Sequence, residues 1–218
     1  MATHIAPTLA CADLLHLGDV VSLLDRIGID SYHMDVMDGN FVPNYCMSWD
    51  VVRQLKAVTR TPVDIHLMVR NIDRDIDIAL ALGCEAIAFH VEQEGDIMSR
   101  IDRIHQEHSL AGIAVSPGTS LSVVRPWLDQ VDYVLVMGVK PGFSGQKFMD
   151  QTLGRIASLV RERGERRFSV WVDGGVDEQN GMECRNSGAD VLIAGKLCVF
   201  KDWGKVEENT VMFKKLVE

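Results

Sequence analysis

His33-Met34-Asp35-Val36-Met37-Asp38-Gly39 is the stretch from which the fold of this chain can be read. It sets a histidine and a carboxylate two residues apart near the end of an apolar run with strand character. Side chains alternate along a strand, so His33 and Asp35 point to the same side. Two further runs repeat the arrangement, with His66 in Val63-Asp64-Ile65-His66-Leu67-Met68 and Asp173 in Val170-Trp171-Val172-Asp173-Gly174-Gly175. Convergence of the three strand ends would make a pocket of two imidazoles and two carboxylates. That is a metal site by its donor set and a candidate active site by its acids and bases.

Working outward, short apolar runs rich in Val, Ile and aromatics recur at Ile5–Ala10, Tyr32–Met37, Val63–Met68, Ala86–His90, Gly112–Ser116, Tyr133–Met137, Phe168–Val172 and Val191–Ala194. Their starts fall roughly 20 to 35 residues apart, the spacing of strands that alternate with helices. Between or after them lie amphipathic segments at Asp13–Ile27, Trp49–Ala57, Ile72–Leu82, Ile97–His105, Leu121–Leu128, Met149–Arg163, Glu178–Asn186 and Lys205–Leu216. Strict alternation requires parallel strands with right-handed crossovers. Eight such units in a chain of this length favour an α/β fold closed as a (β/α)8 TIM barrel, with residues 1–218 as one domain. Gly28, Gly83 and Gly188 each follow a helical pattern and precede a strand, as C-terminal glycine caps do. Every group of chemical interest sits at a strand's C-terminal end, the face on which such barrels carry their sites.

Composition narrows the partners. The 218 residues are 47% hydrophobic and 24% charged, with a formal net charge of −9. That charge argues against nucleic acid or an anionic membrane as the main partner. The five cysteines (Cys11, Cys46, Cys84, Cys184 and Cys198) are scattered, with no Cys-x-x-Cys pair, which fits a reducing cytoplasmic setting better than a disulfide framework or a thiolate zinc site. No basic segment with an apolar core opens the chain, and no apolar run approaches the ~18 residues of a spanning helix.

His33, Asp35, His66 and Asp173 together offer two nitrogens and two oxygens, a set suited to one divalent Zn, Fe, Mn or Co. Carboxylates on the second and seventh predicted strands would face each other across a closed barrel. That suits removal of a proton from one face of a substrate carbon and its return on the other, and a cation on the developing enediolate oxygens would ease it. Gly142, Phe143, Ser144 and Gly145 after the sixth strand, Gly174 and Gly175 after the seventh, and Gly195 and Lys196 after the eighth resemble a phosphate cradle of backbone N–H groups. Met37, Met68 and Met137 close three strands and would line the reacting carbons with polarizable side chains, or simply fill the core. His90 and Glu92 end another strand, either behind the ligands or on a polar rim. Asp38 and Asn44 flank a turn that they either order or use in chemistry.

The stretches Pro7–Ala10, Met34–Asn44, Asp64–Met68, Val136–Gln146, Val172–Gly175 and Ala194–Lys196 together resemble the ribulose-phosphate 3-epimerase family, in order over nearly the whole chain. The resemblance implies a metal-dependent epimerase acting at carbon 3 of a phosphorylated ketose, ribulose 5-phosphate to xylulose 5-phosphate. It places the metal ligands at His33, Asp35, His66 and Asp173, with Asp35 and Asp173 as the acid and base. It assigns a substrate contact to Thr8 and the phosphate to the glycine loops named above, and His66 and the three methionines are further candidate substrate contacts. The family usually shows serine where Thr8 stands, asparagine where Ser116 stands, serine or threonine where Gly138 stands, and a short hydroxyl where Lys196 stands. Lys196 brings a long cation to the expected phosphate, which makes allulose 6-phosphate an alternative substrate and leaves a non-catalytic sugar-phosphate binder as a third reading. A sister decarboxylase is disfavoured, because no Asp-x-Lys pair sits at a strand end. A homo-oligomer is compatible with the fold family, though no surface stripe marks an interface.

Overall fold

In a computed structural model, which describes residues 3–218, the predicted alternation appears as a curled sheet wrapped by helices. The strands are β1 (His4–Pro7), β2 (Tyr32–Asp38), β3 (Tyr45–Cys46), β4 (Val63–Met68), β5 (Ala86–His90), β6 (Leu110–Val115), β7 (Tyr133–Met137), β8 (Ser169–Asp173) and β9 (Val191–Ala194). Their order is β1-β9-β8-β7-β6-β5-β4-β2-β3. All pairings are parallel except that of β3, a two-residue addition to the end of β2. The curl closes where β1 meets β2: Thr8 bridges His33, and the Asp30 carboxylate accepts from the Ile5 N–H at 2.9 Å. The fold is a (β/α)8-type barrel.

Crossovers are made by α1 (Leu17–Ile27), α2 (Trp49–Val58), α3 (Ile72–Ala81), α4 (Ile97–Gln106), α5 (Gln151–Arg163) and α6 (Glu178–Asn186), and α7 (Val206–Val217) follows β9. Their starts carry side-chain caps where the sequence supplies them: Asn71, Asp96 and Asp177 accept from backbone N–H groups of the first turn,. Gly28, Gly83 and Gly188 adopt φ of 76°, 69° and 96° behind α1, α3 and α6, as their placement predicts,.

Two expectations are corrected. The helix expected over Leu121–Leu128 is instead a pair of 3-10 turns, Leu121–Val123 and Arg125–Trp127. Pro126 has no N–H to donate to the carbonyl four residues back, so the apolar spacing there does not propagate an α-helix,. The first strand, expected over Ile5–Ala10, stops at Pro7. Thr8 caps a 3-10 turn over Leu9–Cys11 by accepting from the Ala10 N–H, and this turns its hydroxyl inward.

Register decides what fills the barrel. Asp35 lies beside His66 and His33 beside Asp64, so β2 and β4 fill their share of the interior with polar groups. The other strands supply Ala6, Ala86, Ala88, Ala114, Tyr133, Leu135, Met137, Trp171, Val191 and Ile193. Small residues face large ones, and Tyr133 stacks on Trp171 with ring centres 4.2 Å apart,. Outward-facing Ile65, Phe89 and Phe168 pack under the helices with Leu24 and Phe213. Each is fully or almost fully buried, and such burial contributes about 1.5–3 kcal/mol per side chain.

Gly112 makes room for the Tyr133 ring: a Cβ there would lie 2.2 Å from Cζ. Gly112→Ala is therefore expected to destabilise the barrel by about 1–3 kcal/mol, as overpacking does, seen as a lower urea midpoint at unchanged slope. An unshifted midpoint would mean that the ring yields at no cost. No helix among the described residues is long and apolar enough to cross a membrane.

Candidate active site

His33 and Asp35 on β2, His66 on β4 and Asp173 on β8 converge as the strand alternation requires. One ligand atom from each lies within 4.8 Å of the others, and all four residues are buried. His66 Nδ1 sits between the carboxylates, 3.2 Å from Asp35 Oδ1 and 3.4 Å from Asp173 Oδ2. His33 Nε2 is 3.5 Å from Asp35 Oδ1 and 4.0 Å from Asp173 Oδ2. The Thr8 hydroxyl donates to Asp35 Oδ2 at 2.6 Å, which orients that carboxylate from the β1 side.

The residues behind this cluster set its proton pattern. His33 Nδ1 is hydrogen-bonded to Asp64, whose other oxygen accepts from the Ser31 hydroxyl. A carboxylate can only accept, so the His33 proton sits on Nδ1. His66 Nε2 lies 2.9 Å from His90 Nε2, and His90 Nδ1 lies 3.0 Å from Glu92 Oε2.

Burial pushes the Asp35 carboxyl up, yet the His33 and His66 imidazoles outweigh it and hold the group below the ordinary carboxylate range. Burial likewise opposes charge on His33 and His66. Asp64 and Asp35 raise the first, and Asp173 and Asp35 raise the second. In the low-dielectric interior the acids and the imidazole protons favour one another, a balance that a cation held by the same atoms would replace.

The donor set passes a test of fit for a divalent cation. His33 Nε2 is buried and has no hydrogen-bond partner. An orphaned buried imidazole nitrogen is costly unless something else engages it. Here it faces two carboxylates and a second imidazole, a mixed nitrogen and oxygen set that borderline metals favour. The buried His/Asp cluster can therefore bind a metal.

Above the cluster is a cavity whose wall contains Thr8, Asp35, Met37, Met68, Met137, Gly142, Phe143, Ser144, Gly145, Asp173, Gly174, Gly175, Gly195 and Lys196. The structure thus brings together every substrate-contact residue expected from the sequence except His66, which is fully buried and does not reach the cavity wall. Met68 and Met137 end β4 and β7, Met37 is the last residue but one of β2, and Met137 lies beside Asp173 in register. Phe143 is 53% exposed at the rim, and the exposed Lys140 and Lys196 bring two positive charges to the glycine loops of an otherwise acidic chain.

Gly138, where a hydroxyl residue was the usual expectation, has a steric role. A Cβ there would come 2.4 Å from the Gly174 carbonyl oxygen, and the Gly138 N–H donates to the Asp173 carbonyl at 2.6 Å. The loops after β7 and β8 are thereby held in contact. Asp38 proves to be a loop anchor: it accepts from the N–H groups of Asn40, Phe41 and Arg70. Asn44 donates to the Gly142 carbonyl at 2.7 Å, tying the β2 loop to the β7 loop across the mouth.

Three residues near the cluster escaped the sequence reading. Asp64 carried a signal, because Asp64-Ile65-His66 repeats on β4 the two-residue spacing of His33-Met34-Asp35. Cys11 and Cys46 line the cavity without any motif. Burial, with the nearby Asp35 charge, pushes their thiols up to about 11 and about 12, which keeps them protonated bystanders,.

Comparison with known proteins identifies relatives of the chain. Residues 4–200 match the model of the Ribulose-phosphate 3 epimerase family. The ribulose-phosphate 3-epimerase of Aquifex aeolicus is 36% identical over 193 residues, covering 88% of this chain and 87% of that protein. That of Escherichia coli K12 is 36% identical over 194 residues, covering 88% and 86%, and that of Bacillus subtilis is 34% identical over 194, covering 88% and 89%. Among solved structures, 3-keto-L-gulonate-6-phosphate decarboxylase from Vibrio cholerae superposes with a TM-score of 0.76 at 10% identity, covering 100% of this chain and 98% of that one. At that identity the likeness concerns the fold alone.

Proposed function

The chain belongs to the ribulose-phosphate 3-epimerase family of isomerases, and from that premise we propose that it interconverts ribulose 5-phosphate and xylulose 5-phosphate by two-base proton transfer at carbon 3. The observation that carries the reading is the placing of Asp35 and Asp173, on strands separated by β1 and β9, to either side of one buried imidazole nitrogen. A carbon held above them offers one face to each carboxylate.

In this scheme one carboxylate takes the proton from carbon 3 and the other returns a proton to the opposite face. The Thr8 hydroxyl keeps Asp35 aimed. Met37, Met68 and Met137 keep water from the reacting carbons while offering no group that would compete for the proton. His33, Asp35, His66 and Asp173 would hold a Zn, Fe, Mn or Co ion, whose positive charge would stabilise the oxyanion that develops beside the ketone as the proton leaves. Backbone N–H groups of Gly142 to Gly145, Gly174, Gly175 and Gly195 bind the phosphate, with Lys196 adding a charged contact.

The test is proton NMR in D2O, following deuterium entry at carbon 3 together with epimer formation, on ribulose 5-phosphate and separately on allulose 6-phosphate. Faster turnover of the pentulose is expected; preference for the hexulose would overturn the substrate, and exchange with neither would overturn the reaction. Lys196→Ala is expected to raise KM about tenfold at unchanged kcat, the loss of one charge-assisted contact made equally in ground and transition states. An unchanged KM would place Lys196 outside the phosphate site.

A further inference from the structure

Behind His66 lies a line of polar groups that the reaction itself does not touch. His90 ends β5, two residues past the partner of His66 in register, so its imidazole sits diagonally behind that of His66. The rings stack with centres 5.0 Å apart, and the Phe41 ring lies tilted against His90 with its centre 4.8 Å away. His90 is fully buried, and the Glu92 side chain is 23% exposed.

The order of protons along this line follows from what each group can do. Glu92 receives the Ser116 N–H on Oε1 at 2.7 Å and faces His90 Nδ1 with Oε2 at 3.0 Å. Burial pushes its carboxyl up, but hydrogen bonds from His90, Thr119 and the Ser116 N–H outweigh this and hold it down to about 2. An ionised carboxylate only accepts, so His90 carries its proton on Nδ1. With its proton on Nδ1, facing Glu92, the ring has its lone pair on Nε2,. That lone pair lies 2.9 Å from His66 Nε2, and two nitrogens so close must share one hydrogen, here donated by His66,. His66 Nδ1 then has the lone pair, and beside Asp35 Oδ1 and Asp173 Oδ2, which can only accept, that lone pair is stable only toward a cation,.

We propose that Glu92 and His90 are positioning residues: through a proton-ordered chain they lock His66 in the Nε2–H tautomer and present its Nδ1 lone pair to a metal ion between the two acids. The inference rests on the reading of the four-residue cluster as a metal centre. Ser116, one of the departures from the usual family pattern, stands at the outer end of the chain, with its N–H on Glu92 and its hydroxyl 3.4 Å from His90 Nδ1.

Glu92→Gln tests the proposal, because it keeps size and shape while letting an amide NH2 face His90 Nδ1, which permits the reversed proton order. The readouts are Zn2+ affinity of the full chain by chelator competition, and the His66 tautomer by 15N NMR of the imidazoles. Glu92→Gln is expected to weaken Zn2+ binding by about 10- to 100-fold, as loss of a group supporting a metal-bound histidine does, and to give His66 a mixed tautomer. Glu92→Asp, which keeps a carboxylate, is expected to lie nearer the parent chain on both. Saturating Zn2+ should return most of the lost turnover in Glu92→Gln. Parent affinity with an unmixed His66 tautomer in Glu92→Gln would overturn the relay while leaving the metal centre standing. A parent chain whose Zn2+ binding is unaffected by Asp173→Asn would overturn the metal centre and the relay with it.

Discussion

Asp35→Asn and Asp173→Asn are each expected to lower kcat/KM by about 10³- to 10⁴-fold while leaving the barrel folded. Both substitutions preserve shape, and both positions are buried among partners that an amide can also engage. The Thr8 hydroxyl that donates to Asp35 Oδ2 can donate to an amide oxygen as well. What is lost is the capacity to hold a proton at carbon 3, and general acid–base groups contribute on this scale. The two variants should also differ from each other. Each retains one base, so each should still wash deuterium into carbon 3 of one epimer only, without forming the other. One variant is expected to exchange ribulose 5-phosphate and the other xylulose 5-phosphate. Because both residues also belong to the candidate metal set, the rates are to be taken at saturating metal, with circular dichroism as the check on folding. A near-parent rate in either variant, or washout from both epimers in one of them, would refute the two-base scheme.

The residues named in that prediction were legible because strand alternation ties sequence spacing to direction. His33 and Asp35 on one strand, and His66 on its neighbour, had to share a face once the strands were recognised. Parallel topology then placed them at the same end of the barrel as Asp173. Legibility failed where the deciding contact joins distant parts of the chain or where local sterics override periodicity. Leu121–Leu128 has helical spacing, but Pro126 breaks it into 3-10 turns,. Asp64 has the same two-residue offset from His66 that His33 has from Asp35, yet only the register shows that it backs His33. Gly138 read as a departure without a reason until the Gly174 carbonyl was found where its Cβ would stand. The Asn44 contact with Gly142 spans 98 positions, and nothing local in either loop announces it. His90 and Glu92 were visible as polar ends of a strand, but their direction of hydrogen bonding required the imidazole of His66 to be in place.

Removal of divalent metal by a chelator is expected to abolish turnover and to lower the thermal midpoint, both restored on readdition. The physical case begins with the orphaned His33 Nε2 and the four ligand atoms within 4.8 Å. A site of this kind binds only in the folded chain, since its donors come from β2, β4 and β8, and binding confined to the folded state adds stability by mass action. At a free metal concentration 100 times Kd the gain is about 2.7 kcal/mol. For a chain of this size that corresponds to a rise of about 5 to 10 °C in Tm. The stability readout is independent of the chemistry: Asp173→Asn should erase most of the metal-dependent shift as well as turnover, whereas Lys196→Ala should leave the shift intact. Reconstitution with Zn, Fe, Mn and Co in turn would then separate affinity, which for such donors follows the general order of divalent metals, from the rate each ion supports. A chelated chain that kept both its midpoint and its turnover would leave the buried cluster as a proton-sharing network. Epimerisation would then depend on Asp35, Asp173 and the imidazoles alone.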